Sequence, residues 1–345
     1  MAETTVRVIN LKKWFPVRMG FFGSLVSRKE LFVHAIDGIS FEVQKGEIFG
    51  LAGESGSGKT TTGRVVLRLT DATSGKILFK DKDITRLRDR QLKPFRQKMQ
   101  MVFQDPYESL NPRMTIFDIV AEPLRIRGGL SPKEIEDKVD KTLDNVELTP
   151  PEEFTTRFPH ELSGGQRQRV GVARALTLEP EFIVADEPVS MLDVSIRAEV
   201  LNLMVDLREK MQVSFLYITH DLALARHTCD TVAVMYLGKI MEKGPVEKLI
   251  FEPLHPYTQA LIAAVPVPDP ASARIDVKIK GEIPSPVNPP PGCRFHTRCQ
   301  CYIGDICRTV EPQLVEAAKD HYVACHLYGN SNKQQPTRAG KAGGD

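Results

Sequence analysis

The stretch from Gly53 to Thr60 reads GESGSGKT. It fits the phosphate-loop pattern G-x-x-x-x-G-K-[ST] and stands between a short apolar run, Glu47–Ala52, and a helix expected from about Lys59 to Leu69. The chemistry follows from the residue types. Gly53, Gly56 and Gly58 let successive backbone N–H groups turn inward around a phosphate, where a Cβ would obstruct, and Ser55, Ser57 and Thr61 share that cradle. The helix adds the partial positive charge of its N-terminus. Lys59 places a point charge on the β and γ phosphates of a nucleotide, and the Thr60 hydroxyl can ligate Mg²⁺. A second apolar run, Phe182–Ala185, ends on two carboxylates. Asp186 would hold Mg²⁺ and Glu187 would orient or activate an attacking water. A glycine-rich turn with a chance lysine, or a solvated acidic turn, would look similar in isolation; the strand–loop–helix setting and the pairing of the two motifs argue against both.

Such groups must be positioned by strands that end side by side. Phe182–Ala185 and Ser214–Thr219 read as short buried strands, each closing on a polar residue, and the alternation of strands with helices marks an α/β fold with a mixed or parallel sheet. Between about 105 and 162 the pattern changes to helices with acidic and basic faces, such as Pro132–Leu148, as in a helical insert. After about Leu249 the α/β rhythm stops, prolines gather over Pro284–Pro291, and five of the six cysteines fall between Cys293 and Cys325. From Gly329 the chain holds no core-forming residues and is expected to fray.

The 345 residues, 41% hydrophobic and 26% charged, suit a globular protein of one large and one smaller unit. Lys and Arg number 46 against 44 acids, so net charge selects no partner. A nucleic-acid partner is not expected, because the only concentrated basic stretch, Arg86–Lys98, is interrupted by acids and Pro94 and reads as a solvated helical face. No apolar run is long enough to span a membrane. Met1–Asn10 lacks the pattern of a secretory leader, which places the chain in the cytoplasm as an expectation.

Leu162–Gln166, LSGGQ, is the most specific segment. Ser163, Gly164, Gly165 and Gln166 open a helix and would present its N-terminus to an anion; an ordinary serine-capped helix is the plainer reading. Lying between the phosphate loop and Asp186, this pentapeptide resembles the signature motif of ABC ATPases. The resemblance implies a P-loop NTPase with a RecA-like core, an antiparallel β subdomain, a helical signature subdomain and a small cysteine-rich C-terminal extension. It implies a head-to-tail dimer that sandwiches ATP, with the signature serine and glycines serving the partner's nucleotide. Gln104 resembles the glutamine that senses Mg²⁺ and the transmembrane partner, and His220 the switch histidine at the γ-phosphate. Ser190–Asp193 resembles the D-loop, with Met191 where a small residue is usual and Asp193 retained. Trp14 or Phe15 would stack on adenine, with Trp14 preferred.

The segment Phe103–Arg113, FQDPYESLNPR, together with His255–Leu261 and Pro289–His296, is similar to the oligopeptide, dipeptide and nickel importer ATPases. The insert from Phe15 through Gly20 to Phe22 looks like the F-type member of the peptide pair. The likeness runs from about Val6 to Leu327. It implies residues 1–255 as the nucleotide-binding domain, 256–328 as the extension and 329–345 as a flexible tail. It further implies a sibling ATPase as a heterodimeric partner, two transmembrane permease subunits and an extracellular solute-binding protein that delivers oligopeptides or dipeptides, with oligosaccharides open as the alternative cargo, and the chain peripheral on the cytoplasmic face of the membrane.

Clustered cysteines in a cytoplasmic chain favour metal over disulfide, and spacing alone leaves zinc and an iron–sulfur cluster open. The resemblance implies a [4Fe–4S] cluster on Cys293, Cys299, Cys307 and Cys325, with Cys301 as a substitute for Cys299 and loose thiols as the plain alternative. Cys229 stands apart and reads as a small buried residue. A DNA- or ribosome-acting ABC ATPase would show coiled-coil heptads or paired cassettes, and neither is present; a kinase or GTPase would lack the signature motif.

Overall fold

The computed structural model describes residues 3–17, 30–264 and 281–328. The expected frayed tail and the Gly20–Phe22 part of the N-terminal insert lie outside them.

Two sheets run through the described residues. The smaller is antiparallel and has the order β2 (Phe32–Gln44), β1 (Thr4–Pro16), β4 (Ser74–Phe79), β5 (Lys82–Asp83). Val6, Val8, Ile36, Ile39, Phe41 and Val43 bury one face of it against Val65 and Val66 of the helix Lys59–Val66, as the period of two along a strand demands. The larger sheet has eight strands. Five strands running to one edge are parallel: β9 (Thr231–Tyr236), β3 (Ile48–Ala52), β8 (Ser214–Thr219), β7 (Phe182–Asp186) and, at the edge, β6 (Met99–Val102). Every residue of β3, β7 and β8 is buried, because helices cover one face of the sheet and the smaller sheet with the helix Lys59–Val66 covers the other; parallel strands therefore read as unbroken apolar runs rather than as alternation. Their carboxyl ends deliver Gly53, Glu187 and His220 to one edge, where ligands bind in open α/β sheets.

The insert is helical as expected, with helices Ile116–Arg127 and Pro132–Asn145 packed on Gly164–Leu176 through Val120, Leu124, Leu143 and Val170. Ser131 and Glu134 cap the second of these reciprocally. The basic stretch forms Asp89–Lys98, whose sole buried side chain is Leu92.

The C-terminal extension does not stand apart as a separate unit. After β10 (Lys239–Pro245), the hairpin β11 (Val315–Ala318) and β12 (His321–Val323) continues the large sheet, Glu242 pairing with Val323 and Lys243 with Tyr322. Glu242, fully buried, anchors the junction. Its carboxylate accepts from the backbone N–H groups of Leu254 at 2.9 Å and His255 at 2.8 Å, and lies 2.7 Å from Nε2 of His321.

Glu242→Ala would leave these buried donors without an acceptor, each at a cost of about 1–3 kcal/mol. Its urea midpoint is expected to fall by the equivalent of about 3 kcal/mol or more, against under about 0.5 for the exposed Glu136→Ala. Equal shifts for the two variants would show that Glu242 does not anchor the extension.

Candidate active site

The phosphate loop leaves β3 and closes over the ends of its neighbours so tightly that two positions admit only glycine. A Cβ on Gly53 (φ 148°) would lie 2.3 Å from the carbonyl oxygen of Met235, and one on Gly58 (φ 105°) 2.1 Å from that of Ala35. With the loop so held, Lys59 is carried inward, only 4% exposed. Its ammonium donates to the carbonyls of Gly53 at 2.8 Å and Glu54 at 3.0 Å. Burial pulls the Lys59 pKa down, and the nearby carboxylates of Glu187, Asp186 and Glu54 oppose that fall. No carboxylate forms an ion pair with it among the described residues, so the charge is directed at the loop and at whatever occupies it.

The Thr60 hydroxyl donates to Asp186 Oδ1 at 2.9 Å, which brings together the two groups expected to share Mg²⁺. Burial raises the Asp186 pKa, the Thr60 hydrogen bond opposes the rise, and the adjoining Glu187 adds to it. Glu187 itself has φ 44°, the left-handed region, in which a non-glycine residue is strained by about 1–2 kcal/mol. Its backbone N–H donates to Ile218 O at 3.0 Å, which ties the strained residue to β8. The side chain takes a hydrogen bond from Gln104 Nε2 at 3.3 Å and sits 3.1 Å from Nδ1 of His220. Three residues picked from distant parts of the sequence thus meet on one carboxylate.

These groups border an open cleft of about 830 Å³. Phe15 and not Trp14 lines it, contrary to the sequence preference. The reason is strand parity. Phe15 pairs with Val33 and shares the cleft-facing side of the sheet with Val33 and Ala35. Trp14 pairs with His34 on the opposite face, stacks on its ring at 4.4 Å and donates through Nε1 to Asp37 at 3.2 Å. Glu54, Leu261 and Pro286 also line the cleft and were not singled out from sequence. The last two come from beyond residue 255, Leu261 at the end of the His255–Leu261 segment and Pro286 in the proline-rich run, and neither segment pointed to the cleft.

The signature segment is not in this cleft. Ser163 caps the helix Gly164–Leu176, accepting from Gln166 N–H at 3.3 Å while the Gln166 side chain accepts from Ser163 N–H at 3.0 Å. Both the serine cap and an exposed helix N-terminus are therefore present. A Cβ on Gly165 would meet Ile196 at 2.6 Å, so this helix start packs directly on the segment after Asp193. Asp193 opens the helix Val194–Met211 without capping it, and Met191 and Val194 beside it are exposed. The signature helix start and Asp193 lie outside the cleft, while Ser190, at the start of the D-loop, donates to the Glu187 carbonyl at 3.0 Å.

Cys293, Cys299, Cys301, Cys307 and Cys325 line one common pocket in the extension. Burial, with neighbouring sulfurs adding to it, pushes the thiols of Cys293, Cys299 and Cys325 up to about 11. The space between the side chains is only about 10 Å³, and among the described residues no three His, Cys, Asp or Glu side chains are arranged to hold a metal ion. The donor set suits a thiophilic metal; the expected four-thiolate site is not formed in this arrangement of the side chains. Cys229 is buried as a small core residue.

A family described as "ABC transporter" matches residues 36–190, and one described as "Oligopeptide/dipeptide transporter, C-terminal region" matches residues 241–307. The oligopeptide transport ATP-binding protein AppF of Bacillus subtilis is 51% identical over 94% of this chain and 98% of its own length. A probable peptide ABC transporter ATP-binding protein, y4tS of Sinorhizobium fredii, is 47% identical over 95% of this chain and 91% of its own. Among solved structures, the dimeric ATP-binding cassette MJ0796 in a post-hydrolysis state with ADP and Pi covers 70% of this chain and 98% of its own, at 28% identity and TM-score 0.60. The cassette cbiO1 of Clostridium perfringens covers 72% and 92%, at 26% identity and TM-score 0.61.

A carboxyl whose folded pKa is raised binds more protons folded than unfolded. Stability therefore falls as pH rises from the unfolded pKa through the folded one, and the whole penalty is present at neutral pH. Asp186→Asn, which keeps an acceptor for Thr60, is accordingly expected to raise the melting midpoint of the nucleotide-free protein at pH 7 by about 2 °C, and to abolish the Mg²⁺ dependence of nucleotide binding. A lower midpoint would mean that burial of the charge is not the dominant effect.

Proposed function

Because the chain belongs to the ABC transporter ATPases, in the branch of oligopeptide transport ATP-binding proteins, we propose that it is the ATP-hydrolysing subunit of a peptide importer. The observation that carries this reading is the meeting of Gln104 and His220 on Glu187 beside the Lys59 loop. In the proposed reaction the loop N–H groups and Lys59 hold the β and γ phosphates. Thr60 and Asp186, with Gln104 alongside, are placed to hold Mg²⁺, which would neutralise the charge that gathers on the phosphates. Glu187 takes the proton of the attacking water, while Gln104 and His220 keep its carboxylate aimed at the cleft. Phe15 offers the ring on which adenine stacks.

Ser163, Gly164, Gly165, Gln166 and Asp193 serve the nucleotide of a second ATPase subunit. Ser163 and Asp193 are exposed and Gly164 and Gln166 partly so, and none of them lines the chain's own cleft, which supports this half of the proposal. The partner would be a sibling ATPase. Closure of the pair would be transmitted to two membrane permease subunits through the Gln104 segment and the helical insert, where Phe103, Tyr107 and Ile126 are exposed. No helix among the described residues is long and apolar enough to cross a membrane, and the chain would attach peripherally to the cytoplasmic face. A solute-binding protein outside would supply the peptide.

Glu187→Gln is expected to slow phosphate release by about 10²-fold or more while leaving ATP affinity within about threefold of wild type. Retention of more than about a tenth of wild-type turnover would remove Glu187 from the general-base role.

For the extension we propose a [4Fe–4S] cluster, held by Cys293, Cys307 and Cys325 with Cys299 or Cys301 as the fourth ligand. The convergence of five sulfurs on one pocket supports it; the sulfurs would have to spread to admit it. Protein purified without oxygen is expected to show a broad visible absorption band and about four irons per chain, lost in Cys293→Ser. Colourless protein with one zinc, or with no metal, would overturn the cluster.

A further inference from the structure

The second residue of the phosphate loop, Glu54, is an acid in a loop shaped for a polyanion. Left free, its charge would oppose nucleotide binding. It is not free. Arg298, buried and remote in sequence by 244 residues, meets it with two guanidinium nitrogens, Nη1 at 2.7 Å from Oε2 and Nη2 at 3.3 Å from Oε1. The Tyr236 hydroxyl lies 3.4 Å from the same Nη1. The backbone N–H of Glu54 donates to the Tyr257 hydroxyl at 2.9 Å, so the extension grips this residue by both main chain and side chain.

Arg298 sits on a short turn between Cys293 and Cys299, and that turn is fixed at two further points. Arg294 pairs with buried Asp37 at 2.5 Å. Phe295 packs against Tyr236 and Tyr257 with ring centroids 5.4 and 5.2 Å away. A planar fork held at both ends is a rigid, directional contact.

We infer that Arg298 is a positioning residue of the nucleotide site: it neutralises Glu54 and holds the phosphate loop in its binding form, so the affinity for ATP depends on the C-terminal extension. The inference rests on the reading of the Lys59 loop as the ATP site. It makes the extension a working part of the motor rather than an appendage.

The test is the affinity of the full chain for a non-hydrolysable ATP analogue with Mg²⁺, measured by calorimetry. Arg298→Met leaves Glu54 uncompensated, and an approximately tenfold weaker affinity is expected, about what one unit charge across the loop contributes when partly screened. Adding Glu54→Gln to that variant removes the repulsion and is expected to restore affinity to within about threefold of wild type. A merely structural role for Arg298 would not be rescued in this way. Unchanged affinity in Arg298→Met, or a double variant as weak as the single one with a wild-type melting midpoint, would overturn the inference. Should Arg298→Met fail to fold, the double variant decides alone: near-wild-type affinity supports the inference and tenfold weakness contradicts it. A wild-type chain that did not bind the analogue would instead overturn the ATP reading itself.

Discussion

The buried ammonium of Lys59 organises the cleft. Lys59 is taken almost wholly out of water, yet among the described residues its ammonium is met only by the carbonyls of Gly53 and Glu54. Burying a charge without an anion is costly, and the loop tolerates it because its N–H groups and Lys59 together await a polyphosphate. The constraints on the surrounding sequence follow from that arrangement. Gly53 and Gly58 must lack side chains because the loop is pressed against the carbonyls of Met235 and Ala35. β3 must end there, in the middle of a sheet whose parallel neighbours bring Asp186, Glu187 and His220 to the same edge. Two of the acids that partly balance Lys59, Asp186 and Glu187, are also the groups that metal and water would require on the proposed reading.

Much of the site was legible because parallel strands buried on both faces leave continuous apolar runs, and the chemistry-bearing residues follow directly at their ends. The phosphate loop, Asp186, Glu187 and His220 are all of this kind. Phe15 was not legible. Whether Trp14 or Phe15 faces the cleft depends on the register between β1 and β2 and on which face of that ribbon covers the loop, and neighbouring aromatic residues on a strand carry no sign of either. Leu261 and Pro286 reach the cleft only through the path of the extension. The pairing of Glu54 with Arg298 closes over most of the chain's length, which no local pattern encodes. The extension's hairpin was hidden for a similar reason: Val315–Ala318 and His321–Val323 are short, the first largely exposed, and they become strands because β10 offers an edge to the second, which in turn pairs with the first.

The distribution of functional groups explains why one chain is half a machine. The cleft carries the phosphate loop and, on the proposed reading, the pair that would hold the metal and the carboxylate that would activate water. The signature helix start and Asp193 lie together on another surface, packed against each other through Gly165 and Ile196. A helix N-terminus of this kind is ready for an anion, and on the proposed reading the anion belongs to a second subunit. Nucleotide then becomes the ligand that distinguishes the closed pair from the open one, as any population shift requires. The C-terminal extension has its own hold on this cycle, since its buried arginines reach Glu54 and Asp37.

The most direct measurement is a calorimetric titration of ATP with Mg²⁺ into the purified full chain, run slowly hydrolysing at low temperature, beside Lys59→Met. The expected result is one nucleotide per chain for the wild type and an affinity at least about 10²-fold weaker for the variant, the size expected for loss of a buried charge–phosphate contact. Binding of equal strength in both proteins, or in neither, would contradict the assignment of the Lys59 loop as the nucleotide site.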